Sequence, residues 1–298
     1  PSRSDDTVSL FLQDRIELRP DRLYLTLGTK LERNDYSGSE NQPNVRLAWF
    51  PSARQTVWGA VSRAVRVPAR LNTDLELFAP VGLREGLPFY VNVLGSDDFV
   101  SEEVTAHETG YRLQLNERLS FDVALFANDY DHLQTQELTG FDVVPGPPSH
   151  TVLSAMLANG MEGDTYGGTF AVDWQPLPSW RLRMYYAHLQ MDLALEPGSS
   201  DQGALNVAGN SPRSQIGARS YLELPGELSV YTGVRYVEEL PTQGVPSYTA
   251  VDAGIEWQRP GRPLTVSFTV QNLNDARHRE FGDAYIERSA FARATWAF

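Results

Sequence analysis

Apolar and polar residues alternate with period two over much of this chain, the pattern of a β-strand whose two faces meet different surroundings. In RLYLTLGTKLE (22–32), Leu23, Leu25, Leu27 and Leu31 share one side, with Arg22, Tyr24, Thr26, Lys30 and Glu32 on the other. FDVALFAND (121–129) sets Phe121, Val123, Leu125 and Ala127 against Asp122, Ala124, Phe126 and Asn128. WRLRMYYAH (180–188) divides Leu182, Met184 and Tyr186 from Arg181, Arg183 and Tyr185. LTVSFTVQ (264–271) divides Leu264, Val266, Phe268 and Val270 from Thr265, Ser267, Thr269 and Gln271. Most of these segments run for about 9 residues or more, enough to cross a bilayer at the tilt of a barrel strand.

The connections alternate in length. Short ones fall at 19–21, 51–54, 116–118, 176–179, 225–226 and 259–262. Between them lie long, polar or Pro/Gly-rich segments at 34–43, 66–98, 131–161, 192–211, 239–246 and 273–284. Short turns at one end and long loops at the other are the construction of outer-membrane barrels. A sandwich or propeller has no reason to sort its loops this way. The fold predicted is all-β: an antiparallel transmembrane β-barrel wall of about thirteen strands. The first strand (7–18) and the last (284–298) both end on the short-turn side and so run in the same direction. Bacterial single-chain barrels close with an even number of strands, so the expectation is a partial barrel domain over 1–298 with at least one strand missing upstream.

All six tryptophans, Trp49, Trp58, Trp174, Trp180, Trp257 and Trp296, stand beside the short turns or the C-terminus. Indole favours the hydrocarbon–water boundary because its ring is apolar and its N–H needs a partner. The first five are read as one membrane-interface girdle, against the blander reading of scattered core tryptophans. The last strand, RSAFARATWAF, places Phe298, Trp296, Ala294, Ala292 and Ala290 at steps of two, with Arg293 and Thr295 opposite.

Composition narrows the classes of function. The mean hydropathy of −0.35 is that of a soluble protein, yet a barrel gives the same value because only alternate strand residues face lipid. No stretch approaches the roughly 18 consecutive apolar residues of a membrane helix. PSRSDDTVSL has neither the basic head nor the apolar core of a secretory signal. With no cysteine there is no disulfide, thiol nucleophile or Cys-based metal site. The net charge of −13 argues against a nucleic-acid partner, which needs a basic face.

The search for catalytic chemistry finds none. His107, His132, His150, His188 and His278 form no HExxH-like pair, and His107 and Glu108, as strand neighbours, point to opposite faces. There is no GxSxG elbow and no Walker loop. Gly167 and Gly168 read as a tight bend of the wall. No catalytic residue, metal site or cofactor is predicted. A barrel hydrolase would need a Ser/His/Asp cluster at the rim that carries His132, His150 and His278. A passive porin would share the wall but hold no plug, and a soluble all-β binding module would share only the alternation. Long loops are the usual seat of function. Within 66–98, Arg66, Arg70, Arg84, Phe89 and Tyr90 could contact an anionic, partly aromatic ligand. The competing reading is that they pack the loop or pair with its own acids.

Several stretches resemble the C-terminal half of TonB-dependent receptor barrels. NVRLAWFPSARQTVWGAVSRAVRVP (44–68) is similar to that family's hairpin leading through Arg-x-Pro into an extracellular loop. SEEVTAHETGYRLQLNERLSFDVALFANDYDHL (101–133) resembles its Glu, Gly-Tyr-Arg and Tyr-Asp segment, and ANGMEGDTYGGTFAVDWQPLPSWRLRMYYAHL (158–189) its Asn-Gly and Tyr-Gly strand start. VQNLNDARHREFG (270–282) resembles its near-terminal Asn-Leu-x-Asp loop, with Asn274 where an aromatic is common. The resemblance implies a 22-stranded barrel in the outer membrane of a Gram-negative-type bacterium, enclosing an N-terminal plug preceded by a box gripped by the TonB complex. This chain would supply about the last thirteen strands, without plug or box. It also implies that Trp296 and Phe298 lie in the strand read by the barrel-assembly machinery, that outer-membrane lipid surrounds the wall, and that plug and loops catch a small-molecule ligand. Iron chelates such as ferric siderophores, cobalamin, other metals and sugars all remain open.

Overall fold

The computed structural model describes residues 4–261 and 263–297, so Phe298 lies outside the described residues. The strands in chain order are β1 (Thr7–Arg19), β2 (Leu23–Asn34), β3 (Gly38–Ser52), β4 (Gln55–Arg66), β5 (Glu76–Arg84), β6 (Leu87–Leu94), β7 (Glu102–Asn116), β8 (Leu119–Val144), β9 (His150–Leu177), β10 (Trp180–Leu195), β11 (Ser214–Leu224), β12 (Leu228–Val237), β13 (Tyr248–Gln258), β14 (Leu264–Gln271), β15 (Arg277–Phe281), β16 (Ala284–Glu287) and β17 (Ser289–Trp296). One short helix, α1 (Arg70–Asp74), and two 3-10 segments, Ala204–Asn210 and Pro241–Gln243, complete the regular structure.

Thirteen strands form the wall as an antiparallel meander, in the order β1-β2-β3-β4-β7-β8-β9-β10-β11-β12-β13-β14-β17. The sheet is open: β1 and β17 are its edges and run in the same direction. Cross-strand register carries each alternating pattern into its neighbour. Leu25 faces Leu47, Leu47 faces Gly59, Val123 faces Phe170, Phe170 faces Tyr186, Tyr186 faces Ile216, and Ile255 faces Phe268. One face of the wall is therefore a continuous apolar band. Its members, among them Leu47, Leu125, Phe170, Ile216 and Phe268, are exposed. In water such a surface would be an association or aggregation hazard; against lipid it is the required exterior.

The other face is polar and concave. Glycines on it admit large rings from the next strand. A Cβ at Gly254 would come within 2.2 Å of Tyr231 Cε1, and one at Gly110 within 2.3 Å of Trp58 Nε1. Gly167 and Gly168 lie within β9. A Cβ at Gly167 would stand 2.0 Å from the His188 carbonyl oxygen, so glycine there serves close backbone approach.

Among the described residues, every predicted short connection contains a turn. The long segments hold more structure than expected. The loop placed at 34–43 shrinks to 35–37, because β2 and β3 continue pairing to Asn34↔Gly38. The Asn34 side chain accepts hydrogen bonds from the N–H groups of Tyr36 (2.9 Å) and Ser37 (2.8 Å), closing the turn locally. The segment 131–161 is the outer part of the β8–β9 hairpin, with only 145–149 outside the strands. Beyond Asp131 on β8 and Met161 on β9 the wall neighbours end, and the hairpin projects roughly 40 Å further at the rise of a strand. Within 66–98, α1 precedes the β5–β6 hairpin, whose β6 pairs in parallel with β9 from Phe89↔Thr151 to Leu94↔Met156. The segment 273–284 largely forms β15–β16, a separate two-stranded sheet, so the last wall strand begins at Ser289 and not at 284.

Candidate functional site

The polar face and the outer rim are where this molecule can meet a solute. Low on the polar face a concavity of about 800 Å³ is lined by Arg112, Ser120, Asp122, Asp173, Arg183, Tyr185 and Arg219, among others. Its charges are partly matched across strands. Arg112 Nε donates to Asp122 (2.6 Å), and Asp173 accepts from Arg181 (2.8 Å) and Arg183 (3.2 Å). No ion pair to Arg219 is seen among the described residues, and its side chain faces the open concavity.

The rim is assembled from loops that fold on one another. Val93, Phe99 and Leu157 form its small core, with Leu75 and Val91 packed against them. This places the two longest connections in a single cap, which the parallel β6–β9 pairing makes possible. The outer edge of β8 has no neighbouring strand, and side chains satisfy its backbone donors instead. The N–H of Gln134 donates to Glu102 (2.8 Å), that of Gln136 to Asp201 (2.7 Å) and that of Leu138 to the Ser200 hydroxyl (3.3 Å). Capping an edge with carboxylates and hydroxyls blunts it against strand addition.

Glu137 ties the 196–203 loop to this edge. Its carboxylate accepts from the Ser199 hydroxyl (2.6 Å), the Ser200 N–H (2.6 Å) and the Ser200 hydroxyl (2.9 Å). Burial pushes its pKa up, but the hydrogen bonds from Ser199, Ser200 and Thr135 outweigh it and hold the group at about 2. The last loop is fastened differently. The β15–β16 hairpin folds onto the polar face, where Glu280 pairs with Arg235 of β12 and accepts from His278 Nε2 (2.8 Å). His278 in turn stacks on Tyr248 of β13 at 4.5 Å.

The predicted ligand residues do not converge. Arg66 pairs with Glu102 and reaches Gln134 (3.3 Å), at the edge of a recess of about 530 Å³ that also holds Gln136, Asp201, Asn206 and Asn210. Arg70 pairs with Asp74 (3.3 Å). Arg84 lies over Phe141 (4.6 Å) and Phe89 (5.8 Å), while Tyr90 stacks on Phe78 at 4.9 Å. Of the five, only Arg66 borders this recess; all have partners within the protein. The recess residues Gln134, Gln136, Asn206 and Asn210 escaped the sequence reading, because amides in loops carry no spacing that distinguishes them.

The tryptophans divide. Trp49, Trp174, Trp257 and Trp296 lie on the apolar face near the short turns and are exposed. Trp180 shares that face through its pairing with Leu222, and its Nε1 donates to the Ser220 hydroxyl (2.9 Å). Trp58 departs from the expected girdle. It pairs with Ala48 and Gly110 on the polar face, and Arg46 lies over its ring at 4.9 Å. One position of parity decides this, since Val57 and not Trp58 is in register with Trp49. His132, His150 and His278 sit in separate contacts, with Asp131, Tyr90 and Glu280 respectively, and bring no nucleophile together. Asp131, Glu162 and Glu196 place carboxylate oxygens within 4.8 Å of one another, the one such grouping among the described residues.

An antiparallel wall with an apolar exterior, a charged concave interior, short turns at one end and a folded rim at the other is a transmembrane β-barrel wall. Residues 1–273 match the family described as TonB dependent receptor-like, beta-barrel, and the chain belongs to that family. Its place is therefore the outer membrane of a Gram-negative-type bacterium. Over 299 aligned residues it is 23% identical to the iron-regulated outer membrane virulence protein of Vibrio cholerae, covering 93% of this chain and 42% of that protein. The fold is shared with the ferric enterobactin receptor PfeA of Pseudomonas aeruginosa (TM-score 0.74, 16% identity, 97% of this chain and 44% of that one). It is shared likewise with the siderophore receptor PirA of the same organism (TM-score 0.70, 16% identity, 98% and 48%). The chain thus spans less than half the length of these relatives.

Proposed function

We propose that this chain forms part of the wall and outer rim of a receptor that takes up a scarce nutrient, a ferric siderophore or another metal complex, with energy supplied through the TonB complex. One observation carries the reading. The concave face presents charged and aromatic side chains to open space, not to a packed core, beneath a rim whose loops fold together. A closed barrel of about 22 strands would enclose a lumen too wide for its own side chains to fill. Relatives named as an iron-regulated outer membrane protein and as siderophore receptors support the choice of cargo. Contact with TonB would come through parts of the protein outside this chain. Outer-membrane lipid would cover the apolar band, with Trp49, Trp174, Trp180 and Trp257 at its edge. The barrel-assembly machinery would read the strand ending in Trp296 and Phe298. The wall takes part by binding and shaping a passage and does no covalent chemistry.

A strain lacking the full-length gene, grown under iron limitation, tests this. Uptake of labelled ferric complexes is expected to fall on deletion and to stop in the parent when a protonophore collapses the inner-membrane gradient. Steady ion conductance by the purified full-length protein in a planar bilayer, with uptake insensitive to the protonophore, would indicate a porin and overturn the reading.

A further inference from the structure

We infer that the rim selects by charge: it admits a neutral or cationic complex and turns away a polyanionic one. The inference rests on the uptake reading and states what the same rim would accept. Charge is distributed very unevenly along this chain. The outer segments 33–41, 66–104, 129–165, 190–214, 236–249 and 272–288 together hold 24 acidic and 8 basic residues, a net of −16. The remainder holds 14 acidic and 17 basic, a net of +3, so the net acidity of this chain resides in its outer segments. Between Arg118 and Arg181 there is no lysine or arginine at all, and that span includes the projecting hairpin.

Six of the eight cations of the rim are already engaged, Arg288 among them through the Asn272 carbonyl (3.2 Å). Arg66 pairs with Glu102, Arg70 with Asp74 and Arg279 with Asp283. Arg84 and Arg277 lie over the rings of Phe141 and Tyr285. The recess beside Arg66 offers Gln134, Gln136, Asn206 and Asn210, which hydrogen-bond well to amides and hydroxyls but supply no positive charge. A second recess of about 340 Å³ adds Glu238 and Glu239 to one arginine, Arg213. No single carboxylate cluster is claimed as a site; the selecting element is the summed field of the rim. Screening confines that field to about 8 Å at physiological salt, so it acts on a solute that has already reached the rim. Focused fields of this kind change association rates by about 10- to 1,000-fold.

A single introduced thiol makes the field directly measurable, and this chain contributes no cysteine of its own. In the full-length receptor, with any cysteine outside this chain replaced by serine, Asn210→Cys places one thiol at the recess. Its reaction rates with a cationic and an anionic methanethiosulfonate reagent are compared, each normalised to the unfolded protein. The cationic reagent is expected to react at least about 10-fold faster, with the ratio falling towards one in molar salt. Equal rates, or a faster anionic reagent, would overturn the inference. The same receptor is then offered a neutral ferric tris-hydroxamate and a ferric tris-catecholate carrying three negative charges. Tighter binding of the hydroxamate, with any catecholate binding strengthened by added salt, is expected. A catecholate preference that weakens with salt would refute charge selection while leaving iron uptake intact. A cation-selective thiol with neither complex bound, and no loss of ferric uptake on deletion, would uphold the field and refute iron uptake. Glu238→Lys combined with Glu239→Lys should move both ratios towards the anionic probe.

Discussion

Leu47 and Leu157 are both leucines in long antiparallel strands, and the molecule treats them in opposite ways. Leu47, on the wall, is 43% exposed and belongs to a band of apolar residues turned outward. Leu157, on the rim, is 5% exposed and packs with Val93 and Phe99 in a core turned inward. The rim is a small soluble fold held together by burial of apolar surface from water. The wall is ordered by register and by the demand that every backbone group be paired within hydrocarbon. A substitution should therefore have a cost set by which solvent its side chain meets, and the largest differences should appear where neighbouring residues face different ones.

The sharpest test is Phe268→Arg beside Ser267→Arg. Phe268 faces the exterior from β14, and arginine near the bilayer midplane costs about 2–4 kcal/mol. Ser267 faces the interior between Glu256 and Arg293, where a further arginine meets water and one acidic neighbour. Urea unfolding of the full-length protein in lipid should separate the two by at least about 2 kcal/mol. Equal losses would mean that the band is not the lipid face.

On the rim, Leu157→Ala should open a cavity in a core of only a few side chains. Core Leu→Ala changes cost about 2–5 kcal/mol. Because this core holds the cap and not the wall, hydrogen exchange should accelerate at 76–94 and 150–157 and stay unchanged in β10–β14. Faster exchange throughout would show the two regions to be one cooperative unit.

The wall was legible in the sequence because its physics is local. Period two, strand length and turn spacing assign Leu25, Phe121 or Val266 to a face without reference to any distant residue, and the thirteen-strand wall follows. Parity also takes Trp58 off the apolar face, since it is one residue away from the register of Trp49. The rim was not legible, since its structure depends on contacts between distant segments. No periodicity announces that β6 will pair in parallel with β9, that Gln136 will find Asp201, or that β15–β16 will fold onto Arg235 and Tyr248. The arginines singled out by type, Arg66, Arg70 and Arg84, illustrate the limit. A residue type suited to ligand binding is equally suited to an internal partner, and only the fold decides.

Interior packing of the wall permits a smaller test. Tyr231 lies across Gly254 and its hydroxyl bonds to Thr269 Oγ1. Gly254→Ala must displace the ring, at about 1–3 kcal/mol for a tight site that cannot yield, whereas Tyr231→Phe removes only the hydrogen bond, about 1 kcal/mol. Denaturant midpoints in the same lipid should fall in that order. A reversed order would place the constraint in the polar contact and not in the close approach of ring to backbone.

The smallest effect is the most specific to the rim. Glu137 titrates at about 2 in the folded rim, below the ordinary 4.5 that it recovers when the loop comes loose. A depressed carboxyl pKa means that the ionised form stabilises the folded state, fully so above pH 4.5. That contribution declines as pH falls from 4.5 and is gone once pH drops below about 2. Acidification through this window should therefore release the 196–203 loop. Hydrogen exchange at Ser199 and Ser200, followed between pH 5 and 2 and corrected for intrinsic rates, should show protection lost progressively. Glu137→Gln should flatten that pH dependence, because an amide retains one acceptor oxygen and has no charge to titrate. If the variant keeps the wild-type profile, the pH-sensitive tie lies elsewhere on the rim, and Asp201, which caps the Gln136 N–H on the same edge, becomes the group to replace.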